Sequence, residues 1–189
     1  MSTLSRSIER PRGVGLTIAA VAGFALALAA ASQVAIPLPF TPVPITLQPM
    51  IVVLAGLMLG PVAGVASMVL YLAAGAVGLP VFAPMGAPGI ARFFGPTGGY
   101  LIAYPAAAFV AGALGRRAPT LLGRWLAATA GSAVILLGGV AELTIINGSL
   151  TRAVAIGLTP FALLDVVKAF IAAVIAGRGV SISNRRSRD

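Results

Sequence analysis

GLTPFALLDVVKAFIAAVIAG, residues Gly157 to Gly177, carries no charge except Asp165 and Lys168. A run of this length and apolarity reads as a helix in a bilayer. Thr159-Pro160 supplies a capping side chain followed by a proline suited to the first helical position. Three residues apart on a helix, the carboxylate and the ammonium share one face. A lone charge at a bilayer centre costs roughly 2.5–3.5 kcal/mol on insertion scales. Two such charges retained in one wall mark a candidate functional site.

The rest of the chain has the same character. Of its 189 residues, 59% are hydrophobic and only 9% charged, against about 25% charged in soluble domains. Apolar runs of spanning length recur from end to end, so the chain reads as an all-α, polytopic membrane protein. A net charge of +9 would suit nucleic acid, but the arginines lie at the ends of apolar segments, and no nucleic-acid partner is expected. Besides Asp165 and Lys168, only Glu142 is a charge within an apolar segment.

Absences narrow the chemistry further. There is no cysteine and no histidine, which removes thiolate and imidazole metal ligands and the commonest general base. Neither a metal nor a cofactor is expected, and a membrane enzyme is disfavoured. Lys168, the single lysine, follows valine, so the chain has no Gly-Lys-Ser/Thr phosphate-binding motif. Any ATP-derived energy must come from another subunit. The N-terminus, with Arg6, Arg10 and Arg12 ahead of an apolar run, resembles a secretory signal. That run exceeds the usual length of about 7–15 residues and is read as an uncleaved first helix.

Six spans are expected in one domain, residues 1–177, followed by a basic, disordered tail at 178–189. The spans are placed near Val14–Ala35, Leu47–Leu59, Val62–Leu79, Gly95–Gly115, Trp125–Ile146 and Pro160–Ala176. Between the first two, PLPFTPVPIT (Pro37 to Thr46) holds four prolines, which force an extended, stiff loop. Between the third and fourth, Pro80–Gly95 is too apolar for an ordinary loop and too rich in glycine and proline for helix. It reads as a partly buried or re-entrant loop.

Six spans put both termini on one side, with Arg6, Arg10, Arg12, Arg116, Arg117, Arg124, Arg178, Arg185, Arg186 and Arg188. Only Arg92 and Arg152 fall on the other. The positive-inside rule makes the first side cytoplasmic. The proline-rich loop, the Arg92 loop and the start of the last span then all face outward. From Pro160, Asp165 lies about 8 Å and Lys168 about 12 Å below the outer end. The pair reads either as a binding site for a small polar ligand or as a structural ion pair.

Other candidates lie at the same level. Arg92, in PGIARFFGP, reads as an anion anchor or as an arginine snorkelling to the interface. Phe82, Phe93 and Tyr100 could wall an apolar ligand body. Thr46 and Gln48 offer neutral hydrogen bonds or cap the second helix. Glu142 could contact a ligand, pair with Arg152 or carry a proton. In the first span, Gly23, Ala27 and Ala31 form one small-residue ridge and Ala25 and Ala29 another; either would suit docking on a membrane partner.

PLPFTPVPITLQ (Pro37–Gln48), LMLGPVAG (Leu57–Gly64), LYLAAGAVGLPVF (Leu70–Phe82), GPTGGY (Gly95–Tyr100) and TPFALLDVVKA (Thr159–Ala169) occur in this order. Together they resemble the BioY family, the biotin-binding S components of energy-coupling factor (ECF) transporters. The resemblance implies a six-helix S component in the cell membrane that captures biotin from outside. It also implies a transmembrane coupling subunit and two cytoplasmic ATPases as partners, with Ala25 and Ala29 docking on the coupling subunit. It implies biotin contacts from Asp165, Lys168 and Arg92, whereas Glu142 stands where it implies an apolar or aromatic residue. A different class, a stand-alone or proton-coupled transporter relaying protons through Glu142 or Asp165, is the alternative.

Overall fold

A computed structural model describes residues 13–186, with side chains through residue 178. Arg6, Arg10, Arg12 and Arg188, and the side chains of Arg185 and Arg186, lie outside the described residues. Among the described residues seven α-helices follow one another: α1 Val14–Gln33, α2 Gln48–Leu59, α3 Pro61–Ala76, α4 Gly98–Gly115, α5 Leu121–Asn147, α6 Leu150–Gly157 and α7 Thr159–Arg186. By length and composition α1, α4, α5 and α7 can cross a membrane, while α2 and α3 are apolar but shorter. The fold is therefore mostly helical.

It is not wholly so. The proline-rich stretch is extended, as its prolines require, but it closes into a hairpin of β1 (Ala35–Leu38) and β2 (Thr41–Thr46). Ala35 pairs with Thr46, Ile36 with Ile45 and Leu38 with Thr41. The register slips between Ile36 and Leu38, at Pro37, which lacks an N–H for the ladder. In a two-stranded ribbon each strand has a free edge, so the remaining prolines can face away from the partner. The expected extended loop lacks this pairing because proline content predicts extension and not which extended segments meet.

Helix ends follow their caps. Gly60 adopts φ +82°, ends α2 and lets Pro61 begin α3 at once. The fifth span starts four residues earlier than Trp125, at Leu121, because the Thr120 hydroxyl accepts a hydrogen bond from the Gly123 amide at 3.1 Å. The fourth starts later than Gly95, since Pro96 and Thr97 remain in the turn before Gly98. Helix α6 was not expected from the sequence; Ser149 caps it by accepting from the Arg152 amide at 3.3 Å. The last helix passes through Ala176 and Gly177 without a break and continues to Arg186, since glycine weakens a helix without removing a hydrogen bond.

Helix α2 lies at the centre. Val52 through Gly56 are buried consecutively, the mark of a helix enclosed on all sides. Its neighbours are α1, α3, α4, α5 and α7, and α4 packs most extensively on α5. Glycine makes the α2–α4 approach possible: a Cβ on Gly56 would strike the Ala108 carbonyl oxygen, and one on Gly112 would meet the Gly56 carbonyl oxygen at 2.8 Å. Helix α1 is peripheral and largely exposed.

The two ends of the bundle differ. At one, the Arg116 guanidinium lies against Gly60 and that of Arg124 against Gly177. At the other, the Thr41 hydroxyl of the hairpin donates to the Ile156 carbonyl of α6 at 2.8 Å. The Pro80–Gly95 connection belongs to this second end and contains a short 3-10 helix, Gly89–Phe94. Its tip, Pro84 to Pro88, is exposed, but Arg92 folds back and is only 6% exposed.

Candidate functional site

A cavity opens under the hairpin, walled by the start of α2, the Pro80–Gly95 loop and α4, α5 and α7. Phe161, one helical turn ahead of Asp165, and Ile135 and Leu136 of α5 supply much of its apolar wall. Asp165 and Lys168 both line it and are 3% and 9% exposed. One Lys168 Nζ hydrogen is donated to Asp165 Oδ1 at 3.0 Å. The pair thus neutralises itself, as burial demands. It is not saturated: among the described residues, the other two ammonium hydrogens and Asp165 Oδ2 have no hydrogen-bond partner.

Beside the pair runs a buried polar chain. The Tyr104 hydroxyl donates to Gln48 Oε1 at 2.8 Å, and Gln48 Nε2 donates to the Tyr71 hydroxyl at 3.1 Å. Both bonds fix the Gln48 amide, so its orientation is set before any ligand arrives. The Tyr100 hydroxyl donates to the Gly157 carbonyl at 2.7 Å, and its ring fills the space that a Cβ on Gly139 would occupy. Tyr100 therefore joins α4 to α5 and to the end of α6 while presenting its ring to the cavity.

Arg92 closes the hairpin side. Its terminal nitrogens donate to the Ala83 and Met85 carbonyls of its own loop, and the guanidinium lies 6.0 Å from the centre of the Phe82 ring. Two of five N–H donors are thus used, and Nε is buried without a partner among the described residues. Burial makes the guanidinium a weaker base than an exposed arginine, offset in part by Tyr71. A second cavity lies between the hairpin and the loop tip, and it shares Pro44, Arg92 and Thr97 with the first.

Of the residues singled out in the sequence, Asp165, Lys168, Arg92, Gln48, Thr46, Phe82 and Tyr100 meet around this one cavity. Phe93 does not line it; the ring stacks edge-on behind Phe82, 5.8 Å away. Glu142 is also elsewhere. Its Oε2 is buried at the start of α4, where Cβ atoms on Gly98 or Gly99 would come within 2.8 and 2.9 Å, and it has no hydrogen-bond partner among the described residues. Nor does Glu142 pair with Arg152: the only ion pair among the described residues is Lys168–Asp165.

Within α1 the two small-residue ridges differ. Ala25 is buried and Ala29 half-buried against the chain's own core, because that side of α1 packs on α2 and α3. On the other ridge Gly23 and Ala27 face outward, while Ala31 is half-buried. Sequence reasoning also missed Tyr104, Tyr71 and Phe161. Tyr104 had a signal, since it follows Tyr100 by four residues and shares its helix face. Tyr71 had none, because its role depends on α3 meeting α2.

Comparison with known proteins places the chain. A sequence profile of the BioY family matches residues 6–185. A "Probable biotin transporter BioY" from Pyrococcus horikoshii is 47% identical over 137 residues, 72% of this chain and 80% of that protein. A "Biotin transporter BioY" from Thermotoga maritima is 36% identical over 143 residues, 76% of this chain and 84% of that one. A crystal structure described as the S component for biotin from an ECF-type ABC transporter superposes with a TM-score of 0.80. It is 30% identical, and the match covers 87% of this chain and 90% of that one.

Proposed function

The chain belongs to the BioY family, and we propose on that premise that it takes up biotin as the substrate-binding S component of an ECF-type transporter. It is a multi-pass membrane protein and a transporter subunit, not an enzyme. Asp165 Oδ2 accepts a ureido N–H of biotin, and Lys168 donates to the ureido carbonyl. Arg92, with three N–H donors to spare, receives the valerate carboxylate. Phe82, Tyr100, Leu101 and Phe161 flank the thioether ring and chain, and Gln48 and Thr46 add neutral hydrogen bonds.

The observation that carries this reading is the unsaturated Asp165–Lys168 pair in the cavity wall. Biotin is neutral and hydrogen-bonding at one end and anionic at the other. The cavity has a self-neutralised pair on α7 and an unneutralised cation on the loop. The match of charge and polarity runs along the whole ligand.

In the membrane, the short helices α2 and α3 complete six crossings, and both termini are cytoplasmic. The enclosure of α2 by other helices supports this count, since a helix shielded from lipid need not span about 30 Å alone. The hairpin end with Arg92 faces outward, and the end with Arg116, Arg117 and Arg124 faces the cytoplasm. Transport is powered through a transmembrane coupling subunit and two ATPase subunits, since this chain has no phosphate-binding loop.

Equilibrium binding of biotin to the detergent-purified chain tests the site. Asp165→Asn is expected to lower affinity by about ten- to a hundredfold, the worth of a charge-assisted hydrogen bond, while the protein stays folded and membrane-inserted. Unchanged affinity in that variant would refute the assignment.

A further inference from the structure

Phe82 and Arg92 occupy a loop, yet both are buried and face the cavity. Something must hold that loop against the bundle. Among the described residues Arg92 itself bonds only to carbonyls of the same loop, so it makes the loop compact without anchoring it. Aromatic packing contributes on one side, where the Tyr71 and Phe82 rings meet edge to face at 5.5 Å. The polar anchor comes from an element that does not line the cavity: the last turn of α1.

Ser32 is fully buried, and its hydroxyl lies between the Ala29 carbonyl of its own helix, at 2.7 Å, and the Val81 carbonyl of the loop. Its single hydrogen is shared between them. Gln33 reinforces the contact. Its amide nitrogen lies 2.8 Å from the Ser32 hydroxyl oxygen, 3.2 Å from the Phe82 carbonyl and 3.4 Å from the Pro80 carbonyl. Successive loop carbonyls thus divide between two grips. Those of Pro80, Val81 and Phe82 face α1, and those of Ala83 and Met85 face Arg92.

From this geometry we infer that Ser32 and Gln33 are positioning residues for ligand binding. They clamp the Pro80–Phe82 segment to α1 and thereby hold Phe82 and Arg92 over the cavity. The inference rests on the biotin reading for its ligand but not for the clamp. The clamp also makes the end of α1 part of the cavity's closure, so a displacement of α1 would pull directly on the loop that bears Arg92. Because the contacts are formed in the closed loop, their loss should speed ligand escape more than it slows entry.

The test uses the full chain in detergent with Ser32→Ala and Gln33→Ala, singly and together. Without ligand, hydrogen–deuterium exchange should rise in residues 80–95 of the double variant and stay unchanged in α4, α5 and α7. With biotin, the dissociation rate should rise about tenfold while the association rate changes less. Gln33 is exposed, so Gln33→Ala alone should show the same trend without risk to folding. Ser32→Thr, which keeps the hydroxyl, should preserve the slow dissociation. Unchanged loop exchange in the folded double variant would overturn the clamp. If the unaltered chain bound no biotin, the ligand reading would fall, and the exchange measurement would still decide the clamp.

Discussion

At one end of the cavity, Asp165 and Lys168 project from a single turn of α7 and hold each other at 3.0 Å. At the other, Arg92 rides on a 3-10 helix and is held by carbonyls of its own loop. The first arrangement needs only helix geometry, and its polar neighbours come from other helices. The second needs a loop folded back on itself and tied to α1. A helix-borne pair that is already neutral can recognise a neutral, directional group without rearranging. A cation on a loop can attract an anion and move with it. The difference suggests discrimination at the α7 end and capture at the loop end.

The contrast can be broken most strongly at the pair itself. Lys168→Met alone should leave a buried, uncompensated carboxylate, lowering thermal stability by about 3–5 kcal/mol as well as weakening biotin binding. Asp165→Asn with Lys168→Met should recover most of the stability and none of the affinity, as read by unfolding and binding on the same sample. If the double variant bound biotin normally, the pair would be structural only.

The loop end gives the next largest effect. Arg92→Ala should weaken biotin by about ten- to a hundredfold but weaken biotin methyl ester by no more than about threefold, since the ester lacks the charge. Equal losses for acid and ester would mean that Arg92 only closes the cavity. Tyr104→Phe removes one neutral hydrogen bond to Gln48 and should cost about fivefold in affinity. Smallest of all, Glu142→Gln should change biotin affinity by less than about twofold, because Glu142 does not line the cavity. A large effect there would reopen the case for a proton-carrying role.

Much of this was legible beforehand. The pair at Asp165 and Lys168 could be read because helix periodicity fixes neighbours three residues apart, whatever the tertiary structure. Gln48 and Arg92 could be placed near it only by arguing from topology that three outer segments converge. Phe93 packs behind Phe82 and Glu142 points at the start of α4, so neither turns toward the cavity. A sequence gives height along a helix far better than direction around the bundle. The two ridges of α1 show the same limit, since Ala25 and Ala27 are equally small and differ only in which side packs on α2 and α3.

The sequence by itself determined that this is a membrane protein, roughly where six of its seven described helices lie, and that two opposite charges share one face of the last helix. It also carried enough family pattern to name a ligand to test. Tertiary structure decided the rest: a hairpin in place of an open loop, a seventh short helix, Tyr71 and Tyr104 locking Gln48, and α1 gripping the loop that bears Arg92. The reason is one of range. Hydropathy and helix spacing act between residues a few positions apart, whereas Ser32 and Val81, or Gln48 and Tyr104, become neighbours only when whole helices pack.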